Sequence, residues 1–104
     1  MRTLKIHLIR HGATDANYDG RYIGCKTDLP LAPEGLNELR LLKDDIDYPE
    51  IERLYSSPML RCRQTGAVLY PDFEPFTVEE LKEYDFGSFE NKTAAELESN
   101  PDFI

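Results

Sequence analysis

The chain has 104 residues, 40% of them hydrophobic, and carries a formal net charge of −8, with 12 Lys and Arg set against 20 Asp and Glu. That length supports one small domain at most, and no apolar run is long enough to cross a bilayer. An acidic body of this kind lacks the basic surface that displaces phosphate counterions, which excludes general nucleic-acid binding and confines any anion site to a local group of arginines.

Met1-Arg2-Thr3 runs straight into a first strand, in which Leu4, Ile6 and Leu8 alternate with Lys5 and His7. This start leaves no room for a secretory signal, so a cytoplasmic setting is expected. The strand delivers Arg10-His11-Gly12 to its C-terminal end, where open α/β sheets bind ligands. Thr14 to Tyr18 reads as a short helical turn, and Asp19 to Pro33 as a long polar loop of the kind that often carries function. Pro33 suits a first helical position, and Leu36, Leu39, Leu42 and Ile46 recur at helical spacing, so an amphipathic helix is predicted to about Asp45, with Pro49 helping to end it.

Ile51 to Tyr55 reads as a short strand that hands Ser56-Ser57-Pro58 to a second helix. Ser57 is its expected N-cap, Pro58 its first residue, and Leu60, Ala67, Val68 and Leu69 its core contacts. Arg61 and Arg63 fall in its opening turns. Phe76-Thr77-Val78 predicts a third strand, after which Leu81-Lys82-Glu83 leads into a glycine-containing turn. Thr93-Ala94-Ala95-Glu96 has capping-box spacing and should start a final helix that Pro101 stops. Cys25 and Cys62 form no C-x-x-C pair and lie in separate elements, so free thiols are expected in preference to a metal knuckle, a disulfide or a redox site.

Strands that alternate with helices imply right-handed crossovers and a parallel α/β sheet. Three short strands make a thin one. A parallel sheet needs both faces covered and its edges managed, which roughly 100 residues achieve only marginally, so the chain reads as part of a larger domain.

The chemistry centres on Arg10-His11-Gly12. A neutral His11 can attack phosphorus to form a phosphohistidine that water later opens. Arg10 beside it offers a planar donor fork for phosphoryl oxygens, and Arg61 is the best second clamp. Glu83, just after the third strand, can protonate the leaving group if partial burial raises its pKa. His7, inside the strand, reads as a structural histidine.

Several runs together resemble the histidine phosphatase, or phosphoglycerate mutase-like, superfamily across nearly the whole chain. They are Leu8 to Thr14, Asn17, Gly24, Asp28-Leu29-Pro30-Leu31, Gly35, Ser56 to Thr65 and Leu81 to Glu90. The resemblance implies a three-layer α/β/α fold with a mostly parallel sheet. It also implies His11 as the phosphorylated nucleophile, Arg10 and Arg61 as phosphate ligands, Glu83 as proton donor, and Gly12, Thr14 and Asn17 along a pocket that takes phosphate or sulfate. The implied activity is phosphomonoester hydrolysis on a small phosphorylated substrate, with no cofactor and no metal. Glu83 to Glu90 is more similar to small bacterial phosphatases, α-ribazole phosphatase-like members included, than to glycolytic mutases. Mutase-type phosphoryl transfer, a non-catalytic phosphometabolite-binding module and an assembly piece are the alternatives.

The departures from the family pattern are equally specific. The family has a second pocket histidine in a later motif, whereas this chain has only His7 and His11. Ala32 stands where a capping Thr or Ser is common, and Asn91 where glycine is usual. Family members continue past the position of Ile104, so residues 1–104 read as the N-terminal portion of one domain with its C-terminal strands missing. An open sheet edge and self-association or complementation through it are the expected result, with little activity in the 104-residue chain itself.

Overall fold

A computed structural model of the chain describes residues 3–98. Its elements, in chain order, are α1 (Asp15–Tyr18), α2 (Pro33–Asp45), β1 (Tyr55–Ser56), α3 (Leu60–Leu69), β2 (Phe76–Thr77) and α4 (Ala94–Leu97), with single 3-10 turns at Glu79–Leu81 and Gly87–Phe89. The strands β1 and β2 pair in parallel, Tyr55 opposite Phe76, held by Phe76 N–H to the Leu54 carbonyl and Val78 N–H to the Ser56 carbonyl, both 2.8 Å. The connection between them is α3, so the unit is a βαβ crossover. Among the described residues no helix is long and apolar enough to cross a membrane.

Helix α2 spans Pro33–Asp45 as its periodicity predicts, with Pro33 in the first turn. Its N-cap is Ala32, whose methyl group offers no acceptor to the first-turn amides. Leu39 is its most buried apolar residue and reaches toward Gly12, while Leu41, Leu42 and Ile46 remain exposed. Gly35 lets the helix lie against the Ala13 backbone, because a Cβ there would sit 2.2 Å from the Ala13 carbonyl oxygen. Ala32 N–H donates to that same carbonyl at 2.9 Å, so the start of α2 is docked on the turn after His11.

Three expectations about local structure need correction. Leu4 to Leu8 forms no strand: Leu4, Ile6 and Leu8 are 84%, 75% and 91% exposed. Alternation marks a segment suited to a sheet, but a strand exists only where a neighbour accepts its backbone bonds, and no described residue does so here. The second strand is Tyr55–Ser56, at the end of the predicted Ile51 to Tyr55 segment and shorter than it.

Helix α3 starts at Leu60, two residues later than expected, with Met59 as N-cap. Ser57 Oγ accepts only from Met59 N–H at 3.3 Å, whereas the Leu60 amide is capped from a distant loop by Asp28 Oδ1 at 2.7 Å. The buried face of α3 is Arg61, Thr65 and Leu69, spaced four apart, while Leu60 and Ala67 face solvent. A polar inner face defeats a search for apolar residues.

The short helices are built as predicted. Thr14 caps α1 with Asn17 in a reciprocal box, and Thr93 caps α4 with Glu96 in the same way. Pro101, the expected stop for the last helix, lies outside the described residues. Both cysteines are unpaired thiols. His7 is exposed, as a structural histidine of the first segment.

Candidate active site

His11 is half-buried at the turn between the first extended segment and α1. Its Nδ1 lies 2.6 Å from the Gly12 carbonyl oxygen. A carbonyl only accepts, so Nδ1 carries the ring proton and Nε2 keeps its lone pair. Burial pushes the His11 imidazole below its ordinary pKa, opposed by the bond to Gly12 and the Glu83 carboxylate, and reinforced by the positive charges of Arg61 and Arg10. The ring is therefore neutral at neutral pH, the state in which Nε2 can attack an electrophile.

Residues from three separate stretches thus act on one ring. Arg10 is exposed and, with His11, Asn17, Leu39, Leu42 and Tyr48, lines a cavity of about 360 Å³ against α2. Glu83 is exposed too, its carboxylate accepting the Tyr84 amide at 3.0 Å, so the partial burial expected of it is not found.

Arg61 is the most unusual member. It is only 2% exposed, and among the described residues no carboxylate pairs with it. Its Nη1 donates to the Thr27 carbonyl at 2.8 Å and its Nη2 to the Gly24 carbonyl at 3.4 Å, while Nε is buried with no partner. Removing an unpaired guanidinium from water costs several kcal/mol, about what an arriving anion recovers by satisfying it. Arg61 thus keeps a buried positive charge with a spare donor within an acidic chain.

Gly12 also lines the cavity, whereas Thr14 does not. The Gly12 amide donates to Thr65 Oγ1 at 2.9 Å and is spent there, so it is not a free donor for a phosphate. Thr14 is fully buried, with its hydroxyl donating to Asn17 Oδ1 and accepting the Asn17 amide. A hydroxyl closed inside a helix cap is engaged in building the turn. Asn17 stays half-buried on the cavity wall; its Oδ1 is tied to Thr14, which leaves its amide nitrogen as the donor end.

A family model described as the histidine phosphatase superfamily (branch 1) matches residues 6–104. The chain belongs to the histidine phosphatase superfamily. It is 28% identical over 96 residues to an adenosylcobalamin/alpha-ribazole phosphatase of Salmonella typhimurium, covering 90% of this chain and 47% of the relative. Among solved structures it resembles a phosphoserine phosphatase of Entamoeba histolytica in complex with 3-phosphoglyceric acid, at 34% identity and a TM-score of 0.73 over 84% of this chain and 43% of that one. An alpha-ribazole phosphatase from Shigella flexneri gives a TM-score of 0.73 at 28% identity, with 86% and 45% covered. The chain spans about half the length of these relatives, in accord with a phosphoglycerate mutase-like α/β fold of which the βαβ unit is one part.

Two residues of this histidine phosphatase chain escaped the reading of its sequence. Thr65 accepts from Gly12 and donates to the Arg61 carbonyl at 2.8 Å, which ties the His11 turn to the helix that carries the buried arginine. The signal was its position four residues after Arg61, on the same helix face. Glu90 receives donors from the loop near residue 24 and from Phe86. Nothing in the sequence spacing connects it to Gly24, 66 positions earlier.

Proposed function

We propose that the whole protein hydrolyses phosphate monoesters through a phosphohistidine on His11. The observation that carries this is the pairing of an uncharged His11 with a buried, carboxylate-free Arg61. Nε2 attacks phosphorus as the bond to the leaving oxygen breaks, and Glu83, protonated, gives that oxygen its proton. Water then attacks the phosphoenzyme, loses a proton to the Glu83 carboxylate, and the P–N bond pair returns to Nε2 with release of inorganic phosphate. Arg10 and Arg61 offset charge on the non-bridging oxygens, with the Asn17 amide nitrogen at the pocket wall.

The substrate class is a small phosphorylated molecule, and the likeness to alpha-ribazole phosphatases favours hydrolysis over transfer to a second hydroxyl. We take residues 1–104 as one portion of a single domain, and the two unpaired cysteines support a cytoplasmic setting. The test is phosphomonoesterase activity of the protein expressed from its whole reading frame, with acid quenching to trap an acid-labile phosphoenzyme. His11→Ala should abolish both signals, and equal turnover by the variant would end the nucleophile assignment.

A second property is favoured by the open first segment. The 12.0 kDa chain exposes 7977 Å², against roughly 6,000 Å² for a compact monomer of that mass, and Tyr55 and Phe76 stack 5.6 Å apart on an exposed face of the ladder. The 104-residue polypeptide by itself should therefore self-associate or accept a complementing chain along residues 4–9. Light scattering that shows a compact monomer at high concentration would count against this.

A further inference from the structure

We infer that Glu90 is a positioning residue for Arg61, setting the buried guanidinium through a two-residue clamp at Gly24 and Thr27. Glu90 belongs to the segment after Glu83, and Arg61 to α3; they share no bond. Between them runs the loop 24–27, and each of its end residues faces both ways. The Gly24 amide donates to Glu90 Oε1 and Oε2 at 3.1 and 3.0 Å, while the Gly24 carbonyl accepts from Arg61 Nη2 at 3.4 Å. The Thr27 hydroxyl donates to Glu90 Oε2, while the Thr27 carbonyl accepts from Arg61 Nη1 at 2.8 Å.

The half-buried carboxylate has a third donor in the Phe86 amide at 3.4 Å, and among the described residues no cation pairs with it. Its oxygens are thus bonded to the two residues whose carbonyls hold the arginine. Holding the Gly24 amide and the Thr27 hydroxyl fixes where the carbonyls of the same two residues stand, so Glu90 sets Arg61 without touching it. Direct pairing would have consumed the guanidinium; this arrangement fixes its orientation and leaves Nε open.

The clamp also depends on Gly24 itself. A Cβ there would lie 1.8 Å from the Tyr84 carbonyl oxygen and 2.7 Å from Glu90 Oε1, so only glycine lets loop, carboxylate and the Glu83–Tyr84 backbone come together. The Cys25 amide completes the seam by donating to that Tyr84 carbonyl at 3.0 Å.

The inference rests on the reading of Arg61 as a phosphate ligand, and its test separates the two. Binding of inorganic phosphate is measured by calorimetry on the protein from the whole reading frame, with thermal unfolding alongside. Glu90→Gln keeps the shape but turns an acceptor into a donor facing the Gly24 and Thr27 donors, and should weaken phosphate binding about tenfold. Thr27→Val removes one arm and should weaken it about threefold, guarding against a folding failure of the first variant. In an Arg61→Gln background both substitutions should have no further effect, a non-additivity that a general loss of structure would not produce. Wild-type affinity in Glu90→Gln while Arg61→Gln weakens binding to a level still measurable, or full additivity in the double variants, overturns the clamp and leaves the phosphate site standing. Failure of the unmodified protein to bind phosphate overturns both.

Discussion

Thr65 and Gly12 are 53 positions apart, yet the Gly12 amide donates to Thr65 Oγ1 at 2.9 Å and the same hydroxyl donates to the Arg61 carbonyl at 2.8 Å. One buried side chain therefore sets the distance between the turn that holds His11 and the first turn of the helix that holds Arg61. Thr65→Val keeps the shape and removes both bonds, leaving the Gly12 amide without a partner. The expected cost is about 1–3 kcal/mol of stability, measured by urea unfolding, with a fall in turnover that exceeds any change in KM. Unchanged turnover would show that the link does not position the nucleophile.

Protonation of His11 gives a pH dependence of defined sign. Burial lowers its folded pKa, helped by Arg61 and Arg10 against the Gly12 bond and Glu83. Below the ordinary imidazole range the unfolded chain binds a proton that the folded chain refuses, so stability falls as pH drops from the unfolded value through the lowered folded one. Unfolding curves between pH 7 and pH 5 should show this slope, and His11→Asn should flatten it. The acid limb of kcat/KM should lie below the pKa of a free imidazole.

Docking of α2 on the His11 turn depends on Gly35. An added Cβ would meet the Ala13 carbonyl oxygen at 2.2 Å, and backbone cannot yield as a side-chain tip can. Gly35→Ala should cost about 1–3 kcal/mol and disturb the cavity at His11, read together by thermal unfolding and by activity. A variant of normal stability would mean that the helix and turn separate more readily than their contact implies.

Ala32 leaves the first turn of α2 without a side-chain cap, although its backbone already has the extended geometry of an N-cap. Ala32→Ser supplies the missing acceptor at nearly the same volume and should stabilise the protein by about 0.5–1 kcal/mol. Chemical denaturation settles the sign.

Asn91 adopts a left-handed backbone with φ of 60°, while its amide donates to the Tyr22 carbonyl and its own carbonyl accepts from Arg21 Nη1. Asn tolerates this region better than other side chains do. Asn91→Ala should lose about 1 kcal/mol. Asn91→Gly should change stability by less than about 0.5 kcal/mol, since relief of strain is offset by the freedom of glycine in the unfolded chain. Comparison of the two melting temperatures checks both statements.

Local chemistry explains what was legible in advance. Pro33 with Leu36 and Leu39 marks α2, and Thr93 with Glu96 marks α4, because caps and helical repeats act within a few residues. His11, Arg10, Arg61 and Glu83 were recognisable as residue types suited to phosphate chemistry. The polar inner face of α3 was not, because Arg61 and Thr65 are buried by partners far away in sequence. Leu4 to Leu8 failed in the opposite direction, an alternating pattern with no strand beside it.

By itself, then, the sequence determined the family, the candidate residues for its chemistry and the helices whose signals are local. Only the tertiary structure decided that Thr14 and the Gly12 amide serve the scaffold, that Asp28 caps α3, and that Glu90 reaches Arg61 through Gly24 and Thr27. A hydrogen bond forms wherever folding brings donor and acceptor within about 3 Å, and no spacing along the chain encodes which distant pairs those will be.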